Sequence, residues 1–183
     1  SLMPYLFRAA MQAHENGTPV LRAMLLEFPD DPACGHLDLQ YMLGDSLLVA
    51  PVFSHDGSIS YYIPEGRWTN LLNGNQVEGP GWRREAYDFM SLPLLVRPNS
   101  IIPIGWQNDR PDYDYSNGVT LHVYQLEDGM SKRVEIPSMD GSVETIFDVK
   151  REGDSIHIQR RGPSKKWNVS LHDSGNKKYF EAN

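Results

Sequence analysis

The sequence predicts a mainly β protein in which one helix and one strand come first and two antiparallel β-sandwich domains follow. From Ser46 onward, short runs rich in β-branched and aromatic residues are separated by Gly, Pro, Asn and Asp at intervals typical of sandwiches. No long helical pattern follows Gly44. Before Ser46, one segment has helical spacing and another is almost continuously apolar.

The first element is a helix predicted over residues 2–16. Asn16-Gly17 provides its stop, because glycine readily takes the left-handed conformation that ends helices. The apolar residues that recur at the three-and-four spacing of one helix face are Leu2, Leu6, Ala9, Ala10 and Ala13.

An almost continuous apolar run at residues 20–28 follows the helix. Because it does not alternate, it predicts a strand covered on both faces, as in a parallel sheet. Residues 29–32 form the loop that ends this strand. Asp38 can cap a further short helix that runs through Leu43 and closes at Gly44.

Short strands make up the predicted remainder of the chain. The polar stretch 106–118 contains no periodic segment, so it is interpreted as the connection between the two β domains. The predicted strands are 47–53, 59–63, 68–72, 82–87, 94–97, 101–104, 119–126, 132–136, 142–150, 155–160 and 167–172.

Composition limits the class of function. The formal net charge of −7 and pI near 5.3 argue against nucleic acid and anionic membrane as partners, because both require a basic surface. No run of about 18 apolar residues is present. The single cysteine, Cys34, excludes an internal disulfide and favours a cytoplasmic location. A neutral substrate fits this composition best.

The adjacent acids Asp30 and Asp31 are the most evident catalytic candidates, since they follow a predicted buried strand. Two carboxyl groups that cleave one substrate bond together must face it from opposite sides. Neighbouring residues between two prolines are better suited to shape a turn or cap a helix. We therefore expect the second role.

Histidine and cysteine residues suggest two other kinds of site. Cys34, His36 and Asp38 alternate, but zinc sites usually combine two separated ligand pairs, so we expect no metal and no cofactor. His122 and His157 alternate with apolar neighbours and are expected on the solvent side of strands. Neither has a Ser or Cys partner that the sequence reveals.

Aromatic rings can stack on sugar faces, and the chain is rich in them. Within strands they more often serve packing. The better candidates for substrate binding are therefore Trp106, Tyr113 and Tyr115, because the irregular stretch 106–118 is expected to be exposed. The remaining aromatic candidates are Tyr61, Tyr62, Trp68, Trp82, Tyr87 and Trp167.

Three ordered motifs up to about residue 105 resemble the end of the catalytic barrel and the following domain of glycoside hydrolase family 31. They are LRAMLLEFPDD at residues 21–31, YMLGDSLLVAPV at 41–52 and YIPEGRW at 62–68. The stretch RPDY at 110–113 and the β-rich remainder are similar to the bacterial α-xylosidase branch of this family.

The resemblance implies how the chain fits a larger enzyme. Residues 1–53 would be the C-terminal end of a (β/α)8 barrel with 20–28 as its eighth strand, 54–105 a proximal β-sandwich, and 106–183 a distal β domain, which in the family usually continues further, so truncation at its end is an expectation. The family's nucleophile and general acid/base are aspartates on earlier barrel strands. Neither motif occurs here, so no catalytic residue is expected in this chain.

The resemblance therefore implies the C-terminal portion of a retaining α-xylosidase that removes terminal α-linked xylose from oligosaccharides. This chain alone is expected to be inactive. An α-glucosidase of the same family and a non-catalytic carbohydrate-binding β-sandwich are the alternatives. The oligosaccharide would bind through the barrel, and the full-length protein could form a homo-oligomer.

Overall fold

The structure is a computed structural model that describes residues 1–173 and the backbone of residues 176–182. A 3-10 helix spans Pro32–His36. The elements are α1 (Met3–Asn16), β1 (Leu21–Ala23), α2 (Met24–Glu27), β2 (Tyr41–Leu43), β3 (Leu47–Val49), β4 (Ser58–Asn70), β5 (Gln76–Ala86), β6 (Leu94–Val96), β7 (Ser100–Ile104), β8 (Val119–Tyr124), β9 (Ser131–Pro137), β10 (Val143–Glu152), β11 (Ser155–Arg161), β12 (Trp167–Asp173) and β13 (Asn176–Ala182).

The chain divides into two compact units. Pro19–Pro98 forms the central unit, and Ser1–Thr18 together with Asn99–Asn183 forms the terminal unit. The mainly β fold class is confirmed, and in the described part of the chain no helix follows His36. Across those same residues, no helix has the length and apolar character needed to cross a membrane. The domain boundaries of a complete enzyme stay a prediction.

The central unit is built on one open sheet of six strands in the order β1-β2-β3-β6-β4-β5. All its pairs are antiparallel, and the long β4–β5 hairpin places Tyr62 directly opposite Trp82. Trp68 is fully buried at the centre of the core, and its indole N–H donates to the Pro64 carbonyl at 3.0 Å. A buried indole needs such a partner, because an unpaired N–H would be costly.

The terminal unit contains a three-stranded sheet, β11-β10-β9, and a four-stranded sheet, β13-β12-β8-β7. Alternating apolar residues of both sheets form one core, and Met3 and Phe7 of α1 pack against it. An ion pair of 2.6 Å between Arg8 and Glu135 holds α1 near β9. The buried core residues are Ile101, Tyr113, Tyr115, Val119, Leu121, Val123, Leu126, Val134, Ile136, Phe147, Val149 and Val169.

Helix α1 confirms the helix predicted over residues 2–16. Pro4 lies in its first turn, where the missing N–H costs nothing. Gly17 ends it with φ of 76° and donates its N–H to the Ala13 carbonyl at 3.1 Å. This is the left-handed cap that the Asn16-Gly17 pair predicts.

The prediction of a strand buried on both faces at residues 20–28 is wrong. Only Leu21–Ala23 is extended, and Met24–Glu27 is a single helical turn. Met24 is fully buried, but Leu21, Leu25 and Leu26 are 58, 51 and 62% exposed. Hydrophobicity reports that a residue favours burial, and by itself it does not specify an extended backbone.

The helix predicted at residues 38–43 is also wrong. Asp31 caps a helix earlier in the chain, at Pro32–His36, and Tyr41–Leu43 is strand β2. Strand β2 pairs with β1 on one side and β3 on the other, so sheet hydrogen bonds on both edges override the local capping signal.

The prediction of two purely antiparallel sandwiches needs correction as well. The central unit has one sheet, and in the terminal unit β12 pairs with β8 in parallel. Parallel neighbours need a long crossover connection, and here β9, β10 and β11 supply it. The alternating pattern of single strands does not encode this pairing.

Candidate functional site

The adjacent acids of the loop after α2 differ in their surroundings. Asp31 caps the 3-10 helix, because its Oδ1 accepts a hydrogen bond of 3.0 Å from the Ala33 amide. Its Oδ2 accepts a second bond, of 2.9 Å, from the Tyr62 hydroxyl. Asp30 is exposed. Both observations agree with the interpretation of this loop as a capped turn.

Cys34 lies beneath the same loop and is only 1% exposed. Burial, with a smaller effect from the charge and hydrogen bond of Asp31, raises the pKa of its thiol to about 11. The thiol therefore stays protonated at neutral pH and is a poor nucleophile and a poor metal ligand. Within the described residues, no group of three His, Cys, Asp or Glu side chains is placed to hold a metal ion, and this includes Cys34, His36 and Asp38.

One pair of carboxylates in the terminal unit shares a single lysine. Lys165 Nζ lies 2.8 Å from Asp114 and 2.6 Å from Glu144, and the Ser116 hydroxyl donates to Glu144. Burial would push the pKa of Asp114 upward, but the hydrogen bond and charge of Lys165 bring it below its usual range. A general acid needs the opposite shift. The cluster is better described as an ion-pair network that connects the 106–118 stretch to β10.

The candidate aromatic residues of the 106–118 stretch do not share one environment. Trp106 is 57% exposed, as expected, but Tyr113 and Tyr115 are only 5 and 2% exposed. The two tyrosine rings pack edge to face at 4.8 Å, and the Tyr115 hydroxyl donates to the Pro111 carbonyl at 2.7 Å. Phe7 of α1 covers Tyr115 at 5.8 Å. The expected exposure of both tyrosines is therefore wrong, because core packing recruits them from a polar segment.

Each unit presents one largely exposed indole ring. Trp106 of the terminal unit packs edge-on against Tyr113 at 6.3 Å, with Gly118 beneath it. Trp82 of the central unit is 62% exposed and packs edge-on against Tyr62 at 5.7 Å. A flat ring that is held in this way can stack on the apolar face of a sugar. Trp82 and Trp106 are therefore the structural candidates for carbohydrate binding.

The histidines form contacts that the sequence does not reveal. His122 Nδ1 lies 2.9 Å from His172 Nε2, which is also 3.2 Å from the Ser170 hydroxyl. Ser170 is fully buried, so no substrate can reach it as a nucleophile. His157 is largely exposed, as expected, and lies 3.5 Å from Glu152. His122 is only partly exposed.

The central unit contains an ion-pair cluster that the sequence analysis missed. Glu27 bonds Arg22 at 2.6 Å and Arg97 at 3.0 Å, and the guanidinium of Arg97 lies 4.6 Å from the Phe28 ring centre. Phe28 in turn packs on Trp68 at 6.1 Å. Glu27 is thus engaged by two cations, and its role is to join α2 to the core.

Two exposed apolar groups mark the surface of the central unit. The first consists of Leu21, Leu25 and Leu26, on β1 and α2. The second consists of residues at the ends of two loops, where Phe53, Phe89 and Met90 are 75, 100 and 82% exposed. Several of these exposed apolar side chains are close in sequence, at 21–26 and at 89–90, and such exposure is typical of surfaces that another protein segment covers.

Comparison with known proteins places both units in one group of enzymes. Residues 17–102 match the family model "Glycosyl hydrolase family 31 C-terminal domain". Residues 114–181 match the model "Alpha-xylosidase YicI, C-terminal domain". The chain belongs to glycoside hydrolase family 31. The resemblance of its three motifs to family 31, and of its C-terminal part to the α-xylosidase branch, is confirmed.

Curated relatives include alpha-xylosidases and alpha-glucosidases. Alpha-xylosidase XylQ of Lactiplantibacillus pentosus is 42% identical over 133 residues, which covers 70% of this chain and 18% of the relative. An alpha-glucosidase of Saccharolobus solfataricus is 35% identical over 102 residues, which covers 56% of this chain and 14% of the relative. The chain thus spans less than a fifth of the length of these family 31 relatives.

A solved structure shows the same fold within a larger family 31 enzyme. The Flavobacterium johnsoniae GH31 dextranase FjDex31A, complexed with glucose, aligns with a TM-score of 0.79 and 26% identity. The alignment covers 96% of this chain and 25% of the dextranase chain. The two units described above are therefore found together in a much longer family 31 protein.

Proposed function

We propose that the protein is a retaining α-xylosidase that removes terminal α-linked xylose from oligosaccharides, and that this chain supports a catalytic barrel encoded upstream. The match of residues 114–181 to the C-terminal domain of an alpha-xylosidase carries the proposal. The XylQ relative supports the same activity. In this proposal residues 1–53 are the end of the barrel, and 54–105 and 106–183 are its two β domains.

The geometry of the acids supports a catalytic site outside this chain. Retaining hydrolysis needs one carboxylate as nucleophile and another as proton donor, with access to the same sugar bond. Asp31 is occupied as a helix cap, and Asp114 and Glu144 are held by Lys165. These acids stabilise the fold, which leaves the chemistry to residues of the barrel.

The exposed leucines of β1 and α2 support a packing role. Leu21, Leu25 and Leu26 are each more than half exposed, and burial of a leucine contributes about 1.5–3 kcal/mol. We propose that the barrel covers them. A cytoplasmic location, a bound oligosaccharide and a homo-oligomer of the full-length protein belong to the same proposal.

An assay of aryl glycosides tests where the chemistry lies. The chain alone should release no aryl group from an aryl α-xyloside or an aryl α-glucoside. The longer protein that includes the upstream sequence should cleave both substrates, and the xyloside faster than the glucoside. Release by the chain alone that disappears in an Asp114→Asn, Glu144→Gln variant would place the active site within these residues. Faster cleavage of the glucoside would favour the alternative α-glucosidase, which the Saccharolobus solfataricus relative supports.

A pair of variants tests the packing role of the leucines. Leu25→Ser, at a residue 51% exposed, should leave the thermal midpoint of the isolated chain unchanged but lower that of the longer protein. Leu72→Ser is a matched control, because Leu72 is 54% exposed and lies outside β1 and α2. Equal effects of the two variants on the longer protein would contradict the proposed contact.

A further inference from the structure

The outer face of the three-stranded sheet in the terminal unit forms a polar groove of about 760 Å³. Alternate residues of a strand point to the same face, so the pairing register determines which side chains meet there. One row across the sheet consists of Ser131, Lys150 and His157, and the next consists of Arg133, Asp148 and Gln159. All six of these residues line the groove.

The acids around this groove are already engaged by cations. Asp148 accepts from Arg133 Nε at 2.8 Å and from Arg161. Glu152 is bound by Lys150 at 2.6 Å. Because Asp148 is held between two arginines, this group carries one positive charge in excess. The groove is therefore locally positive in a chain whose net charge is −7.

The donors of the groove suit an oxyanion on a polyhydroxylated molecule. Arg133 donates to Asp148 through its Nε atom. In the described residues, no hydrogen bond is found at the two terminal amino groups of Arg133. These groups are the ones that can bind a carboxylate or phosphate in a two-pronged manner. Lys150 and His157, 52 and 62% exposed, lie one row away. Gln159 and Ser131 offer neutral groups that both donate to and accept from hydroxyls.

We propose that this groove binds an anionic sugar, with its carboxylate or phosphate between Arg133 and Lys150 and its hydroxyls at Gln159 and Ser131. Strand rows are about 6.6 Å apart along the strand, which a single sugar ring with one charged substituent can span. The anion-binding part follows from the charges alone. That the ligand is a sugar rests on the proposed function, since a glycosidase operates among saccharides.

Calorimetric titration of the purified chain tests this proposal with glucuronate, glucose 6-phosphate, glucose and inorganic phosphate. Glucuronate or glucose 6-phosphate should bind, and the one that binds more tightly shows whether the site prefers a carboxylate or a phosphate. Glucose should bind at least about tenfold more weakly than that anionic sugar. Arg133→Gln and Lys150→Gln should each weaken binding by about tenfold, because each removes a charge-assisted hydrogen bond. Raising the salt concentration should also weaken it.

Arg67→Gln is the matched control, because Arg67 is similarly exposed at 47% and is paired with a single glutamate in the other unit. Its binding should equal that of the unaltered chain. The site would be overturned if glucose bound as tightly as the better of the two anionic sugars, or if Arg133→Gln left the affinity for that sugar unchanged. Inorganic phosphate binding as tightly as glucose 6-phosphate would overturn the sugar assignment. Aryl glycoside cleavage is measured separately, so failure here leaves the proposed function intact.

Discussion

Each unit holds a carboxylate between two arginines, and the two clusters differ mainly in burial. In the central unit, Glu27 is 15% exposed and its closest partner, Arg22, is 8% exposed. In the terminal unit, Asp148 is 33% exposed and its partners Arg133 and Arg161 are more than half exposed. The same chemistry thus has a structural role in one unit and remains accessible to solvent and ligands in the other.

Exposure to water determines how much each of the two ion-pair clusters contributes to stability. Water screens an exposed pair and hydrates each partner when the other is removed, so such pairs contribute little. A buried charge that loses its partner keeps its desolvation cost without compensation. The comparison therefore predicts a large stability effect at Glu27 and a small one at Asp148.

The largest expected effect is that of Glu27→Gln. The substitution keeps the shape of the side chain but removes the anion beside Arg22, so we expect a loss of about 3 kcal/mol in the free energy of unfolding. Urea denaturation of the chain, followed by circular dichroism, measures it. Glu78→Gln is a control in the same unit, because the Glu78 side chain is 63% exposed and, among the described residues, forms an ion pair with Arg67 alone. Equal losses in the two variants would contradict the comparison.

The Glu27 cluster also shows what sequence alone could not provide. Arg97 lies 70 positions from Glu27, and no spacing rule joins residues so distant. The apolar run that contains Glu27 predicts a buried strand because its leucines favour burial, yet Leu25 and Leu26 are exposed. Local patterns thus predicted the elements whose information is local, such as α1 with its Gly17 cap, and most of the short strands.

The 106–118 stretch shows the opposite failure. Its polar residues predicted an exposed connection, but Tyr113 and Tyr115 are buried in the core of the terminal unit. Lys165, which ties this stretch to β10, lies 51 positions from Asp114. Family motifs identified the group of enzymes, whereas side-chain roles that depend on distant partners required the structure.

An intermediate effect is expected for Lys165→Met, which leaves Asp114 and Glu144 close together without their shared cation. Lys165 is 21% exposed, so we expect a loss of about 1–2 kcal/mol at pH 7, measured by urea denaturation. Lys132→Met is the control, since Lys132 is exposed on the terminal unit. If Lys165→Met lost no more unfolding free energy than the control, the ion-pair network of Lys165 would not stabilise the unit.

The same cluster predicts a dependence on pH. Burial alone would raise the pKa of Asp114, but the hydrogen bond and charge of Lys165 outweigh that effect. The net pKa in the folded state therefore lies below the ordinary value of 3.8. A depressed pKa contributes stability that is present above 3.8 and is lost as the pH falls toward the folded value. The stability difference between the unaltered chain and Lys165→Met should therefore shrink below pH 3.8 in urea denaturation. A difference that grows on acidification would contradict this assignment.

The smallest expected effect is that of Asp148→Asn, and its dependence on salt separates it from Glu27→Gln. The hydrogen bond from Arg133 lowers the pKa of Asp148 by more than desolvation raises it, and the charges of both arginines lower it as well, so the carboxylate is ionised at neutral pH. Its partners are exposed, so the substitution should shift the urea midpoint less than Glu27→Gln. Any shift should vanish between about 0.1 and 1 M salt, where the screening length falls from about 10 to 3 Å. Most of the shift of Glu27→Gln should persist, because salt screens a largely buried pair much less. If the Asp148 shift persisted at high salt, burial would not be what distinguishes the two clusters.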